Sequence, residues 1–263
     1  MVAQLNGHLA ENFELERRFV FFDADKERTA DSKFFDRFSS NERQAVKDAG
    51  RRMILRPGHK LFRQGTKHGG IYIVESGRIR THFTARSGKD ITLAYWGEGH
   101  FVGGPEVFGR GRHIWSGTTI EETRVLYLSG DILEDLMMRC PSVAMSVIDG
   151  LILKGRAFSN LVQLLGTRTA GARLATLMIN LCETYGEPSD LGLSIGHRYT
   201  HEELASMIGV TRQWVSTTIS KLRSDGILAT RGKEVFIVDL ARLACVIRTV
   251  CTSVAGLIPR RRS

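Results

Sequence analysis

The chain reads as an α+β protein in three parts: a glycine-punctuated antiparallel barrel or jelly roll, a long helix, and a mostly helical C-terminal third containing one β-hairpin. Three observations predict this. Thirteen of the 27 glycines lie between positions 58 and 117, splitting short apolar stretches at near-even spacing. A long helical stretch then carries apolar residues in steps of four and three. From Arg168 the glycine rhythm gives way to helices with recognisable caps. At 263 residues, two domains are expected.

The segments divide at 1–33, 34–128, 129–166 and 167–263. Residues 1–33 form a mixed, polar extension with a short apolar patch at Phe19–Phe22. Ser39 with Glu42 three residues later is a capping box opening a helix through "NERQAVKDAG". The strand candidates "MILRPG", "KLFRQG", "IYIVESG", "RIRTHFTA" and "ITLAYWG" end at turn glycines or run between them, and "RVLYL" closes the set. "RSGKD" (86–90) reads as a hairpin turn.

One helical segment is expected from Ser129 to Leu165. Ala144, Ile148, Leu151, Gly155, Phe158, Val162 and Leu165 form a heptad seam, the pattern of a helix paired with another helix. The same seam also fits packing on the chain's own β-domain. Gly155 on it permits close approach, and Lys154 beside it is awkward in a dry core. Gly166–Thr167 ends the run as a candidate hinge.

"TAGARLATLMINLCETYG" is the next helix, stopped by Gly186 and Pro188. A second capping box, Thr200 and Glu203, opens a helix through Ile208, and a third runs from Arg212 to about Asp225. Within "LASMIGVTRQWVSTTISKL", Ala205, Gly209 and Val215 fall at helix-turn-helix spacing. Ala205 is small where the helices cross, and Gly209 takes the turn. Leu204, Ile208, Val210, Val215 and Leu222 form the buried side, and Thr211 caps the second helix. Arg212, Gln213, Ser216 and Thr217, with Ser220 further on, remain outward; these side chains suit reading of a DNA major groove. "ILAT" and "EVFIV" flank "RGK" as a hairpin whose Arg231 and Lys233 make a wing for phosphates. Thr200, at the start of the first helix of the motif, joins this candidate set. Trp214 is expected to pack half against its own domain. Asp239 can cap a final helix.

Composition narrows the function classes. No apolar run approaches the roughly 18 residues of a membrane span, and the first residues lack the basic-then-apolar order of a secretory signal; a cytoplasmic protein is expected. Cys140, Cys182, Cys245 and Cys251 are scattered, which fits buried apolar thiols rather than a disulfide frame or a zinc site. The net charge is +9. Residues from Arg168 onward carry 13 basic and 8 acidic side chains, so a net +5 of the chain's +9 falls in the last third, which suits a polyanionic partner.

The stretches "LRPGHKLFRQGTKHGGIYIVESGRIR", "ARLATLMINL" and "THEELASMIGVTRQWVSTTISKLRSDGIL", in that order, resemble the cyclic-AMP receptor/fumarate-nitrate reductase regulator (CRP/FNR) superfamily. The resemblance covers Phe35 to Leu240. It implies a jelly-roll-like β-roll sensor of the cyclic-nucleotide-binding type, a dimerisation helix and a C-terminal winged helix-turn-helix. It also implies a homodimeric transcriptional activator or repressor with double-stranded DNA and RNA polymerase as partners and no membrane association. The family's guanine-reading Arg falls on Arg212, its common Glu is Gln213, and Thr217 stands where a second Arg is frequent. The phosphate-binding cassette falls on "HFVGGPEVFGRGRHIWSGTT", giving Gly103, Gly104, Glu106, Arg112, His113 and Trp115 as effector-binding candidates.

This cassette departs from the family's pattern. Gly103-Gly104-Pro105 breaks the Gly-Glu step, and His113, Ile114 and Trp115 stand near the expected Arg-Ser. Without the Arg–phosphate fork a cyclic nucleotide such as cyclic AMP loses its main anchor unless Arg112 substitutes. No cysteine precedes Cys140, which argues against the family's N-terminal iron–sulfur cluster. Haem has only the isolated His82, His100 and His113 to draw on. Tyr95, Trp96, Phe101, Phe108 and Trp115 either line an apolar pocket for an uncharged or aromatic small molecule or fill the core, and a roll with no ligand, controlled by expression level alone, is the other reading. A cupin-like metalloenzyme shares the roll texture, but its His-x-His ligand pair is missing, so neither metal site nor enzyme is expected. A cyclic-nucleotide module that docks on another protein would carry an intact cassette and no recognition helix, the reverse of this chain.

Overall fold

The computed structural model describes residues 33–104 and 106–255, with side chains to residue 247. The N-terminal extension with Phe19–Phe22, Pro105 and the Arg260–Arg262 tail lie outside the described residues. The chain forms two compact units that divide between Ser159 and Asn160.

In the N-terminal unit, α1 (Ser40–Ala49) opens on the expected box: the Ser39 hydroxyl accepts from the Glu42 N–H, and the Glu42 carboxylate accepts from the Ser39 N–H. Eight strands follow, β1 (Arg51–Leu55), β2 (Lys60–Phe62), β3 (Gly70–Ser76), β4 (Ile79–Thr84), β5 (Asp90–Trp96), β6 (Phe101–Val102), β7 (Ser116–Thr119) and β8 (Thr123–Ser129). They form two antiparallel sheets, β1-β8-β3-β6 and β2-β7-β4-β5. The "RSGKD" turn closes the β4–β5 hairpin, with Gly88 at φ 81°. Strands β6 and β7 had no apolar alternation to mark them, one being two residues long and the other reading "SGTT".

The pleat divides β3 and β8 between two cores. Ile71, Ile73, Leu126 and Leu128 meet Val46 of α1 and Leu133, Leu136, Val143 and Val147 further on. Val74 and Val125 point the other way, joining Leu55, Phe62, Ile79, Ala94, Trp96 and Trp115 from both sheets, with Leu153 and Ala157 against them.

The expected helix 129–165 is two helices, α2 (Gly130–Arg139) and α3 (Pro141–Thr167). The break falls at Cys140 because Pro141 disfavours helical backbone before it and suits the first turn after it. Helix α3 continues through Gly166 and Thr167, so the candidate hinge lies inside its last turn. The interruption comes at Arg168–Thr169, where Thr169 caps the next helix.

The heptad seam is split by the packing of α3. Ile148, Gly155 and Val162 are exposed, Ile148 at 45% and Val162 at 70%. Leu151 packs on the first core, and Phe158 on the second, its ring 5.2 Å from that of Trp115. Ala144 and Leu165 are half-buried. The open apolar row runs instead through Met145, Ile148, Ile152 and Gly155 in steps of three and four, and reaches Val162 one heptad further on. The seam read from sequence straddles the border between the packed and open sides of one helix.

The C-terminal unit holds α4 (Ala170–Tyr185), α5 (His201–Ile208), α6 (Arg212–Ser224) and α7 (Leu240–Ala255). Its sheet is ordered β11-β12-β10-β9, from β9 (Pro188–Ser189), β10 (Gly192–Ser194), β11 (Leu228–Arg231) and β12 (Glu234–Ile237). The β9–β10 hairpin was not legible in a stretch punctuated by Pro188 and Gly192; β10 earns its place by pairing Leu193 with Ile237. Leu174, Leu177, Met178 and Leu181 of α4 are buried, as are Leu204, Ile208, Val215 and Leu222 from the expected set, with Val210 half-buried. Asp239 accepts from the Arg242 N–H and caps α7 as anticipated.

Candidate nucleic-acid interface and sensor cassette

Helices α5 and α6 are joined by a turn that rests on one glycine. Gly209 adopts φ 67° and ψ 38°, left-handed backbone that costs other residues about 1–2 kcal/mol. Its N–H and that of Val210 both reach the Ala205 carbonyl, closing α5. Thr211 then accepts from the Trp214 N–H at 3.2 Å and starts α6. Val215, Ile219 and Leu222 turn inward. Arg212, Gln213, Thr217 and Ser220 are exposed, while Ser216 and Trp214 are half-buried. Among the described residues Arg212 has no ion-pair partner, so its guanidinium fork is uncommitted.

The capping threonines are committed. Thr200 accepts from the Glu203 N–H, and its own N–H and hydroxyl donate to the Glu203 carboxylate. Strands β11 and β12 meet at a two-residue turn in which Gly232 takes φ 63°, leaving Lys233 exposed at the tip. Arg231 is turned back on the sheet: it pairs with Asp190 at 2.6 Å and lies 5.9 Å from the Phe236 ring centroid. The two wing cations predicted together are therefore in different states, because the β9–β10 turn brings Asp190 to Arg231.

In the N-terminal unit the cassette leaves β6 with Gly103 at φ 153° and Gly104 at φ 129°. A Cβ on Gly103 would lie 2.7 Å from the Gly70 carbonyl oxygen, so the backbones pass too closely for a side chain. His68 Nδ1 accepts from the Gly70 N–H and Nε2 donates to the Gly103 carbonyl at 2.5 Å, which defines a neutral ring. The His113 ring lies 4.3 Å from His68 and stacks 4.4 Å from Phe62, and its Nδ1 has no partner. Burial, and then the neighbouring His68, push the His113 pKa down to about 4; its hydrogen bond to Gly103 acts the other way. Burial likewise lowers His68.

The six effector candidates therefore separate. Gly103, Gly104 and His113 converge on His68, which sequence reasoning did not select because a lone histidine in a loop carries no spacing signal. Glu106 accepts from the Phe108 N–H within its own loop. Arg112 is exposed and donates to the Gly65 carbonyl at 2.7 Å. Trp115 is buried against Phe158. Of the aromatic pocket-or-core set, Trp96, Phe101 and Trp115 are core, while Tyr95 and Phe108 are half-buried. His82 and His100 are buried apart from each other's partners, His82 near Asp90 and His100 near Trp96. Among the described residues no cluster of three His, Cys, Asp or Glu side chains is arranged to hold a metal ion.

Two family models match the chain in the order of the two units. The cyclic nucleotide-binding domain matches residues 52–140 and the Crp-like helix-turn-helix domain residues 172–246. The chain is 28% identical over 188 residues to the CRP-like cAMP-activated global transcriptional regulator of Mycobacterium tuberculosis, covering 71% of this chain and 84% of that one. It is 28% identical over 177 residues to the cyclic AMP receptor protein of Thermus thermophilus, covering 67% and 79%. The c-di-GMP responsive global regulator CLP of Xanthomonas campestris shares the fold at TM-score 0.67 and 21% identity, over 76% of this chain and 100% of that one. With a β-roll preceding a winged helix-turn-helix, both matched in order, the chain belongs to the CRP/FNR superfamily of DNA-binding transcriptional regulators.

Proposed function

We propose that this regulator binds palindromic DNA as a homodimer and reads each half-site with the N-terminal turn of α6. The observation that carries the reading is the uncommitted polar edge of that helix: Arg212, Gln213 and Thr217 face solvent while Val215 and Ile219 anchor the opposite side. Arg212 suits guanine O6 and N7, Gln213 suits adenine, and Thr217 can meet a thymine methyl. Ser216 and Ser220 lie along the same helix, Thr200 and Thr211 hold the two helix starts in place, and Lys233 meets phosphate from the wing. Arg212→Ala should cost about 1–3 kcal/mol and relax preference at one base pair per half-site. Titration against point-mutated operators tests this; equal weakening on every operator overturns it.

Dimerisation is assigned to the open row of α3, Met145, Ile148, Ile152, Gly155 and Val162. Apolar side chains left exposed at heptad spacing support it. Two copies would place α6 in successive major grooves about 34 Å apart. Sedimentation of the protein alone and with operator decides the point, a monomer in both cases refuting it. Contact with RNA polymerase, cytoplasmic location and the lack of an enzymatic activity follow from the regulator reading. No helix among the described residues is long and apolar enough to cross a membrane.

The β-roll is read as the sensor of a small molecule other than a cyclic nucleotide. His113 and Trp115 are packed inside the unit, and both cassette arginines are engaged within the chain, Arg110 with Glu134 and Arg112 with the Gly65 carbonyl. Equilibrium dialysis with cyclic AMP and cyclic GMP tests this, tight binding of either refuting it.

A further inference from the structure

The wing is fixed to the rest of its unit by three arginines. On β11, the Thr230 hydroxyl accepts from the guanidinium of Arg223 on α6 at 3.3 Å. One residue on, Arg231 pairs with Asp190. On β12, Glu234 pairs at 2.9 Å with Nε of Arg198, which lies two residues before the Thr200 cap of α5. Beyond β10 the Ile195 N–H donates to the Val235 carbonyl at 3.2 Å, and the turn at Gly196, φ 84°, brings Arg198 alongside Glu234. Glu234 stands across the hairpin from Arg231, so an ion pair leaves the wing on each side of its Gly232–Lys233 tip.

The Arg198 side chain is 74% exposed and that of Glu234 33%, and a pair this open adds little to folding. Its charge matters more at this place. Residues 160–247 carry nine Lys and Arg against eight Asp and Glu, so cations free for phosphate are few. Glu234 adjoins Lys233, the exposed cation of the tip, and a carboxylate there repels a DNA backbone unless a cation stays beside it. Among the described residues its ion-pair partner is Arg198.

We infer that Arg198 is a positioning residue for DNA binding. Through Glu234 it sets the wing against the start of α5, and so the separation between Lys233 on the phosphates and Arg212 on the bases, without itself touching DNA. The pair is kept when DNA binds, because handing Arg198 to a phosphate would leave Glu234 facing the same backbone. Arg198 and Lys233 therefore act as one device, the first placing the cation that the second carries. The inference rests on the reading of α6 and the wing proposed above.

The test is fluorescence anisotropy of the full-length protein on a duplex that it selects from a random pool. Arg198→Ala should weaken binding by about fivefold. Glu234→Ala should weaken it too, although it removes a negative charge beside the DNA; a direct Arg198–phosphate contact predicts tighter binding instead. In a Lys233→Ala background, Arg198→Ala should cost less than about twofold and leave the salt slope unchanged. Tighter binding by Glu234→Ala, additive losses at Arg198 and Lys233, or unchanged binding by Arg198→Ala overturns the assignment. Urea denaturation of each variant should match the wild type, and a midpoint that falls together with affinity also overturns it. Arg212→Ala on the same duplex tests the reading of α6 separately, so either proposal can fail alone.

Discussion

The rings of His68 and His113 lie 4.3 Å apart, both buried and both hydrogen-bonded to the Gly103 carbonyl. His68, 35 positions before Gly103 and 45 before His113, thereby ties these two parts of the cassette together. The arrangement depends on both rings being neutral, since two imidazolium ions at that separation in a buried site would repel.

That dependence sets an acid limit. The folded pKa of His113 is about 4, against 6.5 in an unfolded chain, so between these values the unfolded state binds a proton that the folded state refuses. Stability is therefore full above pH 6.5 and falls as pH drops towards 4, by about 3 kcal/mol from this group. Urea denaturation from pH 7 to pH 4 should show the loss. His113→Phe, which keeps the stack on Phe62, should flatten it.

Lys154 has a depressed pKa too, but its window is alkaline. Between about 7 and 10.5 the unfolded chain carries the proton and the folded chain does not, so stability rises with pH across that range. Below pH 7 the burial penalty is present in full. Lys154→Met should raise stability at pH 7 by about 2–4 kcal/mol and remove the alkaline slope in thermal denaturation.

Gly209 should tolerate little. Its φ of 67° strains any L side chain, and a Cβ there would come 3.1 Å from Leu165 Cδ2. Gly209→Ala should destabilise the C-terminal unit by about 1–2 kcal/mol and weaken operator binding. Gly209→Asn should lose less, because asparagine enters left-handed backbone more readily. Chemical denaturation of the two variants measures the difference.

The wing cations should respond differently to salt. Lys233 is exposed and unpaired among the described residues, so Lys233→Ala should weaken binding to all sequences alike and reduce the salt slope by about 1. Arg231 is held by Asp190, and Arg231→Ala should leave the slope nearly unchanged while loosening the β9–β10 hairpin. Binding isotherms across a salt series separate the two.

How much was legible follows from the range of each interaction. The boxes at Ser39–Glu42 and Thr200–Glu203, the Thr211 cap and the Gly209 turn are contacts within a few residues, and each was readable from spacing. The helix-turn-helix was readable for the same reason: its buried and outward sides follow from 3.6 residues per turn. Strand β7 was not, since "SGTT" becomes a strand only because β2 and β4 lie on either side of it.

By itself the amino-acid order determined the two-unit plan, the capped helix pair and the outward set Arg212, Gln213 and Thr217, because local backbone preference and periodicity decide these. Only the tertiary structure decided that His68 joins the cassette, that Asp190 takes Arg231 out of the wing, and which side of α3 remains open. It alone buried Lys154 against Phe101. Each of these depends on residues far apart in sequence meeting in a packed interior, where desolvation and close contact act and no spacing rule reaches.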